Sequence, residues 1–290
     1  MPHVVLQALE LPADKIEKAA ALARAEGVRP LSPSAVQLLD VDPDARDDVI
    51  AYCEEAGLDH AFLDVIRSLA DCRVLAMDMD STLVNIECID EIAAVAGRKA
   101  EVAAITEAAM RGEITDFADS LRRRVALLED IPAEALEQVW QERLQLNSGA
   151  ERLVSTARRH GIKTVLVSGG FTFFTDRLRE RLQLDESHAN VLEIVNGRLT
   201  GRVNGEIVDA QGKADRVAAL AERLGAGPEQ ILAVGDGAND LKMMALAEYS
   251  VAYRAKPLVR RQARFALNVS PLDGILHWFS LSGPAVRPAG

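Results

Sequence analysis

The sequence predicts an α/β protein built on a doubly wound parallel sheet, with an inserted helical cap and a small α/β domain ahead of it. Three observations carry that expectation. Short, almost wholly apolar runs at VLAM (74–77), IKTVLVS (162–168) and ILAVG (231–235) have the character of parallel strands buried on both faces. The second and third are followed by Gly-rich turns and helical stretches, the rhythm of a doubly wound sheet whose sites lie at the carboxyl ends of its strands. More than 70 residues between the first two runs, from about Cys88 to His160, read almost entirely as helix, which is too long for one crossover and implies a cap inserted over the sheet.

Before Arg73 the style differs. VVLQAL (4–9) has the pattern of a strand, and DKIEKAAALARAEG carries helical spacing that ends at Gly27, in the position favoured for a helix C-terminus. AVQLLDV then reads as a second strand, PDARDDVIAYCEEAG as a helix with Pro43 near its start and Gly57 at its end, and LDHAFLD as a third strand. The expected division is residues 1–70 for this small α/β unit and 71–284 for the main domain, with the cap at about 88–150 and a disordered tail at 285–290. Late in the main domain, VLEIVNGRLTGRVNGEIV alternates apolar and polar residues around Asn196-Gly197 and Asn204-Gly205, both hairpin turn signals.

Composition narrows the function classes. A hydrophobic content of 49% with 27% charged residues is that of an ordinary globular protein, and no apolar run approaches the ~20 residues that span a bilayer. The opening MPHVVLQALELPADK has no basic region ahead of an apolar stretch and is not expected to be a signal peptide. A net charge of -11 argues against nucleic acid and anionic membranes as partners. Three cysteines, Cys53, Cys72 and Cys88, form no C-x-x-C pair, which argues for a reducing cytoplasm rather than a disulfide framework or thiolate zinc site.

The chemistry concentrates in carboxylates. Asp78 and Asp80, in MDMDSTL, follow the first buried strand at once, where like charges in poor solvent raise each other's pKa. Mg²⁺ resolves the difficulty, because it prefers hard oxygen ligands and takes one or two protein carboxylates, leaving room for a substrate phosphate. Asp236 and Asp240, in VGDGANDLKM, are the next carboxylates at a strand end, and at least one is expected to complete the magnesium site. A single Asp after a strand is ordinarily an N-cap or turn residue, and it is the combination that changes the reading. Ser168-Gly169-Gly170 adds a hydroxyl and uncrowded backbone N–H groups, and Lys213 a positive charge, as a phosphoryl group requires.

These residues resemble the haloacid dehalogenase-like hydrolases, and within them the phosphoserine phosphatases. The similarity runs from about Val74 to Asp273 through Asp78-Met79-Asp80-Ser81-Thr82, Ser168-Gly169-Gly170-Phe171, Lys213 and Gly235-Asp236-Gly237-Ala238-Asn239-Asp240, four motifs in the family's order. The resemblance implies a Rossmann-like core and hydrolysis through an aspartyl phosphate, with Asp78 as nucleophile and Asp80 as acid and then base. It also implies Ser168, Gly169 and Lys213 on the phosphate, and Mg²⁺ on Asp78, Asp236 and the backbone carbonyl of Asp80. Asn239 and Asp240 are implied to orient Lys213, phosphate or metal-bound water.

In the cap the resemblance continues through NIECIDEIA and FADSLRRRVALL. It implies Glu87 for the substrate ammonium, Arg124 for the substrate carboxylate, and Met110 and Phe117 as apolar walls, although RGEITD between the last two is one residue longer than the family pattern. Read without it, Glu87 is a helix-start residue and Arg122-Arg123-Arg124 an exposed helix face or a weak nucleic-acid patch. The implied substrate is O-phospho-L-serine, in the last step of serine biosynthesis. The alternatives are another small phosphorylated amino acid or amine within the same superfamily, and an amino-acid-binding module without catalysis. Residues 1–70 sit where related phosphatases carry ACT-like domains, but with a strand too few by the count above. They are expected to form a degenerate version that serves dimerisation or stability, so that a homodimer is the partner expected besides the small-molecule substrate. Arg159-His160-Gly161 closes a helix and is given a structural reason only.

Overall fold

Two sheets organise the chain. The computed structural model describes residues 2–110 and 113–281, apart from the side chain of Met110, so that the expected tail at 285–290 lies outside the described residues. The first sheet is formed by β1 (His3–Gln7), β2 (Gly27–Ser32), β3 (Ala35–Leu39) and β4 (Asp59–Leu63), with α1 (Ala13–Leu22) and α2 (Arg46–Ala56) across one face. Its order is β2-β3-β1-β4, all neighbours antiparallel, which is the split βαββαβ connectivity. The expected strand count was therefore one short and the unit is complete rather than degenerate. The missing strand is β2: α1 ends at Leu22, and Gly27, expected to stop that helix, begins β2. α2 ends as expected, with Gly57 in the left-handed region at φ +67°.

Strand alternation decides how this sheet is used. Val4 and Leu6 of β1 face α1 and α2, in a cluster with Leu38, Val49, Cys53 and Phe62. Val5 points the other way, joining Ala61 and Leu63 in the main core with Leu69, Trp278 and Phe279. Asp59, at the head of β4 and buried, reinforces the seam: its Oδ1 accepts from the backbone N–H of Asn268 at 2.7 Å, and its Oδ2 from Val269 at 3.1 Å and Ser270 at 2.7 Å.

After β5 (Val74–Met77) come α3 (Cys88–Val95), α4 (Lys99–Met110), α5 (Phe117–Ala126) and α6 (Glu134–Glu142). The chain returns through α7 (Ala150–Arg159), β6 (Lys163–Phe171), α8 (Thr172–Leu182), β7 (Glu186–Val195), β8 (Arg198–Asn204) and α9 (Ala210–Leu224). It finishes with β9 (Ile231–Gly235), α10 (Leu241–Met244), β10 (Tyr249–Tyr253), α11 (Pro257–Gln262) and β11 (Phe265–Leu267). The second sheet has the order β11-β10-β9-β5-β6-β7-β8, parallel except for the β7–β8 hairpin. That hairpin turns at Asn196-Gly197, both residues at positive φ. Asn204-Gly205 makes no second hairpin; β8 ends there and the chain runs on to α9. Strands β10 and β11 were not anticipated from the sequence.

Both faces of the parallel strands are covered, which is why they read as unbroken apolar runs. Val74 and Ala76 of β5 face Val217, Leu220 and Met243, while Leu75 and Met77 join the larger core on the opposite face. From β5 the chain moves out to β6, β7 and β8 on one side and returns to β9, β10 and β11 on the other, so that the carboxyl end of β5 lies at a topological switch point.

Replacing Asp59 by Ala strands three backbone N–H groups at the seam, and the expected loss is on the order of 3 kcal/mol. Urea unfolding measures it; an Asp59→Ala protein with an unchanged midpoint and slope would remove the seam from the stability argument.

Candidate active site

Register delivers the site. Met77 pairs with Leu166 on one side and Val234 on the other, and the N–H of Asp78 donates to the Val234 carbonyl at 3.0 Å. Asp78 thus emerges between Ser168 and Asp236, each set one residue beyond the level of Asp78 on a neighbouring strand. Straight after it the chain turns sharply through 79–83 with Ser81 at φ +57°. Asn147 braces this turn, its amide donating to the Thr82 carbonyl at 2.8 Å and the Val84 carbonyl at 3.0 Å.

Lys213 arrives from the other direction. Asp209 caps α9 by accepting from the Gly212 N–H at 2.8 Å, and the buried stripe Lys213, Ala214, Val217, Leu220 and Ala221 turns the first turn of the helix inward. The ammonium is 0% exposed and lies 2.5 Å from Asp78 Oδ1 and 2.7 Å from Asp240 Oδ1. Asp240 is held in turn by the N–H groups of Asp236 (3.1 Å) and Gly237 (3.0 Å), which donate to its Oδ2. Asp236 Oδ1 accepts from Thr82 Oγ1 at 2.9 Å.

Asp78, Asp236 and Asp240 each bring an oxygen within 4.8 Å of the others. The Asp80 carboxylate lies outside this trio. Its Oδ1 accepts from the Cys88 N–H at 2.8 Å and its Oδ2 from Ser168 Oγ at 3.3 Å, while Ser168 Oγ accepts from the Gly170 N–H at 2.8 Å. Close approach explains the glycines here: a Cβ on Gly170 would stand 2.6 Å from Asp80 Oδ2, and one on Gly169 would stand 2.9 Å from Phe117 Cζ. The latter contact puts the start of α5 directly over the β6 end of the site.

One ammonium among four carboxylates leaves the centre strongly negative. Burial, then Asp240, raises Asp78 well above the ordinary carboxylate range despite Lys213. Burial also raises Asp80, against the hydrogen bonds from Cys88, and burial with Asp240 pushes Asp236 up to about 6. For Lys213 burial pulls downward, but Asp240 and Asp78 outweigh it and the ammonium is held more firmly than a free lysine. This donor set fits a divalent cation: hard oxygens, converging, with an excess of negative charge that protons otherwise neutralise.

Toward the helices, Glu87 Oε1 accepts from Ser81 Oγ at 2.6 Å. The residue is exposed, yet the protein mass around it, followed by the charge of Asp80, pushes its carboxyl up to about 7. Arg124, half-buried on α5, lies within the field of Asp90, Glu87 and Asp80. Asn239 lies in the Asp236 loop, its Oδ1 filling the space a Cβ on Gly237 would take. Met110 closes α4, and its side chain lies outside the described residues. The sequence reading missed Thr82 and Asn147. Thr82 stood inside the first motif without a role assigned to it; Asn147 reaches the turn from 63 residues away and had no local signal.

Replacing Lys213 by Met leaves Asp78 and Asp240 buried without their cation, at an expected cost of roughly 3–5 kcal/mol near pH 7. The unfolded chain titrates alike in both proteins, so the penalty grows as pH rises through the raised Asp78 value of the parent and fades as pH falls below it. Denaturant titrations of both proteins at neutral and acid pH test this, and a penalty independent of pH would contradict it.

The comparisons agree with this geometry. The family model for haloacid dehalogenase-like hydrolases matches residues 75–245, and one for a domain of unknown function (DUF4072) matches residues 4–49. A phosphoserine phosphatase of Polaromonas sp. is 55% identical over 212 residues, covering 72% of this chain and 90% of the relative. The solved structure of an HAD family hydrolase from Salmonella enterica serovar Typhi superposes with a TM-score of 0.87 at 29% identity, over 97% of this chain and 100% of the other. A substrate-bound phosphoserine phosphatase complex superposes with a TM-score of 0.67 at 38% identity, over 72% of this chain and 99% of the other. The carboxylates gathered at the switch point are therefore those of a known lineage, and the chain belongs to the haloacid dehalogenase-like hydrolases.

Proposed function

We propose that this chain is a phosphoserine phosphatase, hydrolysing O-phospho-L-serine to L-serine and inorganic phosphate in the last step of serine biosynthesis. The observation that carries the reading is the Asp78 carboxylate clasped by Lys213 beside Asp236. Relatives named phosphoserine phosphatases support the substrate.

Asp78 is the nucleophile. A carboxylate oxygen attacks phosphorus, the bond to the serine oxygen breaks, and an aspartyl phosphate forms, replacing one slow hydrolysis by two faster steps. Serine alkoxide leaves poorly, so Asp80 donates it a proton, and then takes a proton from the water that attacks the acyl phosphate. The raised pKa of Asp80 supports its starting protonated. Lys213, Ser168 Oγ and the Gly169 N–H hold the phosphoryl oxygens, whose charge spreads during transfer. Asp240 and Asn239 orient Lys213 and the Asp236 loop. Asp78, Asp236 and the carbonyl of Asp80 would hold Mg²⁺, which when bound offsets the negative charge of carboxylate and phosphate.

Glu87 receives the substrate ammonium and Arg124 its carboxylate, with Phe117 and Met110 as the apolar walls; the Phe117–Gly169 contact supports a cap that shuts water out. We divide the chain into an N-terminal unit of 1–70, a phosphatase core of 71–284 and a cap of about 88–150, with α7 packed on the core. The apolar seam supports a stabilising role for the N-terminal unit, which we also assign to homodimerisation. Among the described residues no helix is long and apolar enough to cross a membrane, and three free, buried cysteines support a cytoplasmic setting.

Asp78→Asn is expected to lower phosphate release from phosphoserine by roughly 10⁴-fold or more while the fold persists, and full activity in this variant would refute the assignment. Magnesium supplies a second test. The Asp236 carboxyl, at about 6 in the fold against 3.8 unfolded, makes the metal-free protein lose stability as pH rises between those values. Mg²⁺ must displace that proton and restores the loss, so the rise in Tm on adding it is expected to be larger near pH 7.5 than near pH 5. Equal shifts would speak against Asp236 as a ligand.

A further inference from the structure

Asn147 has no part in the chemistry above, yet it holds the backbone that carries Asp80. Its side-chain amide donates to the carbonyls of Thr82 at 2.8 Å and Val84 at 3.0 Å, with that of Ser81 at 3.4 Å. Its own N–H donates to the remaining carbonyl of the run, that of Leu83, at 2.9 Å. The turn needs such support. Ser81 is a non-glycine residue in the left-handed region at φ +57°, and Asp80 and Ser81 both leave the helical path of their neighbours. Backbone of this kind keeps its shape only when the surrounding structure fixes it.

The brace is itself anchored. The N–H of Leu272 donates to the carbonyl of Ser148 at 2.8 Å, and the N–H of Ala150, at the start of α7, to the carbonyl of Asn147 at 3.1 Å. On the other side the two connections to the cap are stitched together, Val84 bridging Leu146 antiparallel. The N–H of Asn85 donates to the Gln145 carbonyl at 3.0 Å and the N–H of Gln145 to Asn85 Oδ1 at 2.9 Å. Asn147 thus stands where the turn, both cap connections and the core meet.

We propose that Asn147 is a positioning residue for proton transfer: by fixing the carbonyls of 81–84 it sets the direction in which Asp80 presents its carboxyl to the leaving oxygen. This rests on the reading of Asp80 as the general acid. Among the described residues the Asp80 carboxyl is held by the Cys88 N–H at 2.8 Å and by Ser168 Oγ at 3.3 Å, the second a long bond to a group that the phosphate also claims. The backbone behind Asp80 must then supply the rest of the aim. A misplacement of about 1 Å costs on the order of a hundredfold in rate.

The experiment compares two leaving groups in the first turnover, by rapid quench with saturating enzyme and Mg²⁺, so that weakened binding does not enter. Serine alkoxide needs a proton in order to leave, whereas p-nitrophenolate leaves without one. In Asn147→Ala, serine release from phosphoserine is expected to slow by roughly ten- to a hundredfold, with p-nitrophenolate release from p-nitrophenyl phosphate within about threefold of the parent. Asn147→Asp keeps the shape and removes the N–H donors, and is expected to show the same imbalance. Equal slowing on the two substrates would reduce Asn147 to a general structural brace and overturn the proposal, as would unchanged serine release in either variant. Asp80→Asn is the reference for a lost acid. Equal slowing of both substrates in that variant would instead overturn the reading of Asp80, and a parent enzyme that releases p-nitrophenolate but no serine would overturn the reading of the substrate.

Discussion

The bond from the Lys213 ammonium to Asp78 and Asp240, wholly out of water, is the interaction on which the rest of the molecule turns. Three separate pieces of chain meet there: the end of β5, the first turn of α9 and the loop after β9. A buried ion pair gains little over an apolar packing of the same volume, because desolvation consumes the Coulomb attraction. Its presence in the core is explained by chemistry. An amine pinned by two carboxylates cannot swing away, and one of those carboxylates is the group assigned to attack phosphorus.

The surroundings are arranged to keep this centre short of positive charge. Backbone N–H groups spend themselves on Asp240 and Asp80, and Thr82 on Asp236, yet none of these donors carries a full charge. Burial raises the carboxyls of Asp78, Asp80 and Asp236, and for Asp78 and Asp236 the neighbouring Asp240 adds to it. The same excess of negative charge suits the divalent ion proposed for this site, which would in turn offset the charge of a phosphate.

Much of this was legible in the sequence, for reasons that can be named. β5, β6 and β9 are buried on both faces, so their apolar runs were unmistakable, and the end of each run supplied Asp78, Ser168 and Asp236. β2 escaped because it is an edge strand with Arg29 and Pro30 turned to solvent, so it shows neither alternation nor an apolar run. β11 is three residues long, and β10 begins straight after a turn without a flanking signal. Asn204-Gly205 has turn chemistry, but no strand follows to pair with β8. The aim of the Asp80 carboxylate, the Thr82 bond and the Asn147 brace depend on contacts distant in sequence, which local patterning does not encode.

The seam between the two sheets bears on how such a protein can change over generations. Val5, Ala61 and Leu63 share a core with Trp278 and Phe279, and Asp59 collects the amides of 268–270. Neither side can drift alone: a lineage that discarded the first sheet would inherit a greasy, amide-studded scar, and would have to repaint it with polar residues before the remainder stayed soluble. Shuffling of this module is therefore a coordinated event, and the residues near 268–279 form the ledger in which its gain or loss would be written.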